Sequence, residues 1–260
     1  MMALQARNVN VKLGGTEVLH GVSVDFPAGK WTCLVGPNGA GKSSLLRALA
    51  GLLPCTGEIH LMDRRLTDWP NKQRAQTLAW LGQHELAMDD LLVWDVVMLG
   101  RLPHRDWFAP PSAQDYSAVE QALRMTQAFE WKHRSLGQLS GGERQRVLLA
   151  RVLAVQAKLV LMDEPLVNLD PPHQVDWLHI VRELVRAGTT VVSVLHEVSM
   201  ALQADELVVM DKGRVLHQGS AQERNTHAAV EAVFGHSLTI QRLQGQCIAL
   251  PGLEFTRKKQ

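Results

Sequence analysis

Residues 31–51 read Trp31-Thr-Cys-Leu-Val35-Gly36-Pro37-Asn38-Gly39-Ala40-Gly41-Lys42-Ser43-Ser44-Leu-Leu-Arg-Ala-Leu-Ala-Gly51. The short apolar run Trp31 to Val35 predicts a buried strand, and Ser43 to Gly51 predicts a helix, closed by Gly51 and the nearby Pro54. Between them, Gly36 to Ser43 fits G-x4-G-K-[ST], and a strand before with a helix after is the setting in which that pattern holds phosphate. Glycines let the backbone curl until its N–H groups converge on phosphate oxygens, and the helix start adds partial positive charge. The candidate nucleotide-binding residues are therefore Gly36, Pro37, Asn38, Gly39, Ala40, Gly41, Lys42, Ser43 and Ser44. Lys42 would reach the β- and γ-phosphates, and the Ser43 hydroxyl would hold magnesium.

Outward from this loop, residues 4–13 and 17–26 predict two strands around a Gly14-Gly15 turn, and GEIHL and LAWLG predict two more. From about 90 to 155 the pattern turns helical, interrupted by the proline-rich PHRDWFAPPS. Strands are predicted at 158–163 and 189–194, flanking a helix at about 172–187, and LTIQRLQGQCIALP predicts a small hairpin turning at Gly245. Apolar strands alternating with helices imply a mostly parallel sheet covered on both faces, with the helical block inserted into that α/β core.

The chain has 260 residues, 46% hydrophobic and 20% charged, enough for one sizeable core, and a net charge of +1 that offers no nucleic-acid surface. Three cysteines with no CxxC pair point to a reducing compartment and away from a disulfide framework or zinc site. The N-terminus lacks a signal-peptide pattern, and no run approaches the ~18 apolar residues of a membrane helix.

A phosphate loop needs an acid on the magnesium side at the end of a neighbouring buried strand. Lys158-Leu-Val-Leu-Met-Asp163-Glu164-Pro165 supplies it: four apolar residues deliver Asp163 to the metal, and Glu164 follows, placed to polarise a water for in-line attack on the γ-phosphate.

Leu139-Ser140-Gly141-Gly142-Glu143-Arg144-Gln145-Arg146 resembles the LSGGxxQR signature of ATP-binding cassette (ABC) ATPases. The resemblance covers about residues 3–245 and implies a P-loop NTPase core with a mostly parallel sheet, an N-terminal antiparallel β-subdomain and an inserted helical subdomain. It makes residues 1–260 one ATP-binding domain, with a catalytic core at about 1–85 and 155–260 and the helical subdomain at about 86–154. It implies that two copies pack head to tail, so that Ser140, Gly141, Gly142 and Glu143 of one complete the ATP site of the other; a single phosphate loop per chain agrees with that. Gln83 resembles the Q-loop glutamine that senses magnesium and the attacking water, and His196 the switch histidine on the γ-phosphate. Asp170 resembles the D-loop residue that crosses the dimer interface. The resemblance thus assigns catalysis to Glu164, His196 and Gln83, and magnesium to Ser43, Gln83 and Asp163, with ATP and Mg2+ as ligands.

The chain departs from the family in three places. Leu13 stands where an aromatic residue often stacks on adenine, Val167-Asn168 replaces the commoner Ser-Ala, and Glu197 follows His196 where aspartate is frequent.

Gly100-Arg101-Leu102-Pro103-His104 is similar to the GRxPH segment of ATPases serving importers of iron–siderophores, haem and cobalamin. In that family the region lines a groove that receives a coupling helix, which Trp107 and Phe108 would suit. The implied assembly is two ATPase copies beneath two transmembrane permease subunits at the cytoplasmic face of a bacterial inner membrane, fed by a periplasmic substrate-binding protein. The cargo would be haem or a ferric siderophore, or else cobalamin. A soluble ABC ATPase without a permease, such as the iron–sulfur cluster assembly ATPase, is the rival reading, and the Gly100–His104 segment favours the importer.

Overall fold

The computed structural model describes residues 1–82, 89–106 and 108–252. Strands β1 (Met2–Leu13) and β2 (Thr16–Pro27) pair antiparallel, with Leu13 opposite Thr16 across the Gly14-Gly15 turn. Strand β3 (Trp31–Val35) leads through the phosphate loop into α1 (Lys42–Leu49). Strands β4 (Thr56–Leu61) and β5 (Arg64–Arg65), helix α2 (Asn71–Thr77) and strand β6 (Leu78–Leu81) follow.

The helical block holds α3 (Val93–Met98), a 3-10 turn over Leu99–His104, α4 (Ala113–Met125) and α5 (Gly141–Ala154). Both longer helices start on a serine. Ser112 and Ser140 accept from the backbone N–H of Asp115 and Glu143, whose side chains accept in return from the two serine N–H groups. The chain continues through β7 (Leu159–Asp163), α6 (Pro171–Arg186), β8 (Thr190–Val194), α7 (Val198–Ala201), β9 (Glu206–Asp211), β10 (Arg214–Ser220) and α8 (Arg224–Val233). It closes with the hairpin β11 (Leu238–Leu243) and β12 (Gln246–Pro251).

Three sheets result. β2-β1-β4-β5 is wholly antiparallel, as the resemblance implied. The central sheet runs β10-β9-β3-β8-β7-β6, parallel throughout except where β10 pairs with β9. Every residue of β3, β7 and β8 is buried, because both faces are covered. Successive residues supply opposite cores. Val160 and Met162 join Trp31, Cys33, Leu207 and Val209 on the face carrying α3 to α6, whereas Leu159 and Leu161 join Leu34, Val208 and Met210 on the face carrying α1 and the antiparallel sheet. A fully buried Val or Leu is worth about 1.5–3 kcal/mol and strand propensity under about 1 kcal/mol, so two-sided burial sets these strands.

The three cysteines are free, Cys33 and Cys247 buried and Cys55 exposed. Among the described residues no helix is long and apolar enough to cross a membrane.

Candidate functional site

The carboxyl ends of β3, β7 and β8 bring the phosphate loop, Asp163-Glu164 and His196 to one edge of the central sheet. They border a cleft of about 320 Å³ lined by Val18, Asn38 to Ser44, Glu164 and His196. Two loop glycines are dictated by space as well as conformation. Gly36 has φ 151° and a Cβ there would lie 2.1 Å from the Met210 carbonyl oxygen; Gly41 has φ 93° and a Cβ would lie 2.8 Å from Leu19 Cδ2. The β9–β10 turn supports the loop from behind, since Gly213 N–H donates to the Ala40 carbonyl at 3.0 Å. That support had no counterpart in the sequence reading. A glycine in Asp-Lys-Gly-Arg signals a turn but not what the turn touches.

Lys42 is 6% exposed, and its ammonium donates to the carbonyls of Gly36 at 2.7 Å and Pro37 at 2.9 Å. Burial pushes its pKa down, opposed by the negative charges of Glu164 and Asp163. The Ser43 hydroxyl donates to Asp163 Oδ1 at 2.8 Å across the cleft floor. Asp163 is fully buried, and its Oδ2 has no hydrogen-bond partner among the described residues. Burial pushes its pKa up, against the Ser43 hydrogen bond. A buried carboxylate with one orphaned oxygen beside a serine hydroxyl is an all-oxygen donor pair, and a hard cation that keeps waters and phosphate oxygens as its other ligands fits it. The described residues hold no group of three or more His, Cys, Asp or Glu that could bind a metal.

Glu164 sits in the left-handed region at φ 52°, a cost on the order of 1 kcal/mol for a non-glycine residue. The turn is held by its N–H, which donates to the Val194 carbonyl at 3.1 Å, and by its own carbonyl, which accepts from Val167 N–H at 3.3 Å. The kink turns the carboxylate out of the strand and onto His196, whose Nε2 contacts Glu164 Oε1. The following residue, Glu197, accepts from Gln174 Nε2 at 3.2 Å and so ties the histidine's loop to α6.

The signature residues Ser140 to Glu143 do not line this cleft. α5 is about 21 Å long at 1.5 Å per residue, and it is its C-terminal end that leads into β7. Its first turn instead packs on the segment before α6: a Cβ on Gly142 would lie 2.8 Å from the Asn168 carbonyl oxygen, and Gln145 Nε2 donates to the Pro165 carbonyl at 3.1 Å. Asp170 caps α6 by accepting from His173 N–H at 3.2 Å, and its side chain stays 62% exposed.

Gln83 lies outside the described residues, as does Trp107. Leu13 is 43% exposed at the tip of the first hairpin and does not line the cleft; of β2, Val18 does. The lone Tyr116 stacks on Trp94 at 6.1 Å. The Gly100–His104 segment divides between interior and surface. Gly100 abuts the Arg151 carbonyl and Arg101 is 2% exposed, so these two face inward, whereas His104 is exposed yet bonds the Val155 carbonyl, and Leu102 and Phe108 are exposed.

The sequence matches the family model described as ABC transporter over residues 19–167. It is 38% identical over 255 residues to the hemin import ATP-binding protein HmuV of Rhodococcus jostii, covering 96% of this chain and 86% of that protein. The ferric enterobactin transport ATP-binding protein FepC of Escherichia coli is 34% identical, covering 89% of this chain and 87% of that one. Among solved structures, one described as a metal-chelate type ABC transporter in an inward-facing conformation superposes with a TM-score of 0.80 at 25% identity, covering 98% of this chain and 99% of its own. A phosphate loop, a buried strand-end aspartate, a glutamate–histidine pair and a capped signature helix sit on this fold, and the chain belongs to the ABC transporter family of ATP-binding subunits.

Proposed function

We propose that this chain is the ATP-hydrolysing subunit of a bacterial importer for haem or a ferric siderophore. Its place would be the cytoplasmic face of the inner membrane, where a head-to-tail pair serves two permease subunits fed by a periplasmic binding protein. The observation that carries the reading is the cleft itself, lined by Asn38 to Ser44, Glu164 and His196, with Ser43 bonded to Asp163, and by no residue of Ser140 to Glu143. In this reading a second copy supplies Ser140, Gly141, Gly142 and Glu143. The relatives' printed functions, hemin import and ferric enterobactin transport, support the choice of cargo.

In this mechanism ATP draws Lys42 off the Gly36 and Pro37 carbonyls and onto the β- and γ-phosphate oxygens. Asp163 and Ser43, with Gln83, would hold Mg2+, which when bound neutralises charge on the phosphates. Glu164 orients a water in line with the γ-phosphate and takes its proton, and His196 fixes the Glu164 carboxylate and reaches the γ-phosphate. The N-terminus of the partner's α5 adds bare N–H groups and its positive dipole end. ATP binding closes the pair and product release opens it. The catalytic core would be about residues 1–85 and 155–260, and the helical subdomain, about 86–154, would carry the signature across the interface.

The test is a mild-detergent pull-down from native membranes with this chain as bait. A polytopic permease at about equal stoichiometry is expected, and soluble partners alone would overturn the importer reading.

A further inference from the structure

Outside the nucleotide cleft, the most deeply buried ion pair among the described residues joins Arg101 to Asp115, with side chains 2% and 6% exposed. Arg101 Nε donates to Asp115 Oδ1 at 2.9 Å, and its Nη1 donates to the Ala154 carbonyl at 2.8 Å and to Gln156 Oε1 at 3.2 Å. Asp115 Oδ2 in turn accepts from the Ser112 N–H at 2.9 Å and hydroxyl at 2.7 Å, which fixes the carboxylate to the start of α4.

The arginine therefore meets three pieces of chain at once: the beginning of α4, the last residue of α5, and Gln156, the left-handed residue (φ 57°) just before β7. Its own 3-10 turn is held independently. His104 Nε2 donates to the Val155 carbonyl at 2.8 Å, and Gln76 Nε2 of α2 donates to the Pro103 carbonyl at 2.8 Å. In a 3-10 turn residues three apart eclipse, so Arg101, buried, and His104, exposed, lie on one edge, and each bonds a carbonyl at the end of α5 or just after it. Gly100 lets that edge close up, since a Cβ there would lie 2.2 Å from the Arg151 carbonyl oxygen.

This places the most exacting polar junction of the helical block at the base of α5, with Ser140 about 21 Å away at the tip. On a lever of that length a rotation of ~3° moves the tip by ~1 Å, and a misplacement of that size can cost ~100-fold in rate.

We propose that Arg101 is a positioning residue for hydrolysis. By joining the C-terminal end of α5, Gln156 and α4 into one rigid junction, it holds the distant signature turn at the angle needed to meet the γ-phosphate bound by a second copy. The proposal rests on the head-to-tail pairing given above. Lysine cannot replace it, because an ammonium lacks the planar fork that reaches Asp115, Ala154 and Gln156 together.

The experiment compares full-length Glu164→Gln with the double variant Glu164→Gln/Arg101→Lys. Melting temperature, affinity for MgADP and the ATP concentration that half-closes the pair in size-exclusion chromatography are each measured. MgADP needs only the chain's own phosphate loop, so its affinity is expected within ~2-fold, whereas the closure midpoint rises by at least ~10-fold, the signature of an interaction made only in the closed state. A closure midpoint unchanged by Arg101→Lys would overturn the proposal. So would parallel losses in melting temperature, MgADP affinity and closure, which would make Arg101 a structural residue only. If Arg101→Lys does not fold, Gln156→Leu, which removes one of the three contacts and leaves the ion pair, is carried through the same measurements with the same two overturning results. Should Glu164→Gln itself stay monomeric with ATP, the pairing fails and this proposal falls with it; a closing Glu164→Gln beside an unaffected double variant sinks the proposal alone.

Discussion

Replacing Glu164 by glutamine changes one oxygen to an NH2 group and little else. The left-handed turn at φ 52° is as accessible to glutamine as to glutamate, and the bonds that hold it use backbone atoms, Glu164 N–H to the Val194 carbonyl and Val167 N–H to the Glu164 carbonyl. Lys42, Ser43 and Asp163, proposed to meet the phosphates and the cation, keep their contacts. What is lost is a group able to take a proton from the attacking water, and a positioned general base contributes about 10²–10⁴-fold, or about 3–5 kcal/mol of barrier. Steady-state phosphate release should therefore fall by that factor, with MgADP affinity unchanged. Because ATP then persists in the site, size-exclusion chromatography with MgATP should show a stable dimer that the parent chain forms only transiently. Phosphate release at the parent rate would remove Glu164 from the mechanism. A collapse of MgADP affinity would show instead that the carboxylate holds the cleft together.

Lys42→Ala is expected to weaken nucleotide binding itself, because it deletes the buried ammonium that bonds the Gly36 and Pro37 carbonyls and is proposed to move onto the phosphates; a nucleotide titration with unchanged affinity would refute the phosphate-loop assignment. Gly36→Ala should destabilise the fold by more than about 2 kcal/mol, since its Cβ would fall 2.1 Å from the Met210 carbonyl oxygen in a conformation L-residues avoid; a parent-like urea midpoint would contradict that packing. Burial alone would raise the pKa of Asp115, but hydrogen bonds from Arg101 and Ser112 and the arginine charge outweigh it and bring the value down to about 2. A carboxylate depressed on folding stabilises above its unfolded pKa near 4 and loses that contribution as pH falls towards 2, a change of about 2 kcal/mol that Asp115→Asn should remove from the acid limb of a stability–pH curve.

Much of the site was legible because its chemistry is local. Gly36 to Ser44 need only each other, a strand before and a helix after. Asp163 and Glu164 stand out in the sequence because they end an apolar run, and Ser140 to Glu143 because they fall in one contiguous signature; the capping box that Ser140 makes with Glu143 is a finding of the structure. Arg101 was different. It matched a family segment expected to line a groove, yet its partners Asp115, Ala154 and Gln156 are 14, 53 and 55 residues away, and no local period announces a buried ion pair at such separations. Gly213 and Met210, which wall the phosphate loop, and Asn168, which meets the signature turn, were hidden for the same reason.

The sequence by itself determined the strand–loop–helix unit, the acid-ended strand and the capped signature helix, since backbone freedom, apolar runs and capping act over a few residues. Only the tertiary structure decided that the Ser43 hydroxyl donates directly to Asp163, that the signature turn packs on Asn168, and that Arg101 turns inward. Those outcomes depend on which strands become neighbours in the order β3-β8-β7 and on where a helix about 21 Å long points. Both are fixed by burial summed over the two faces of the sheet and not by any short stretch of chain.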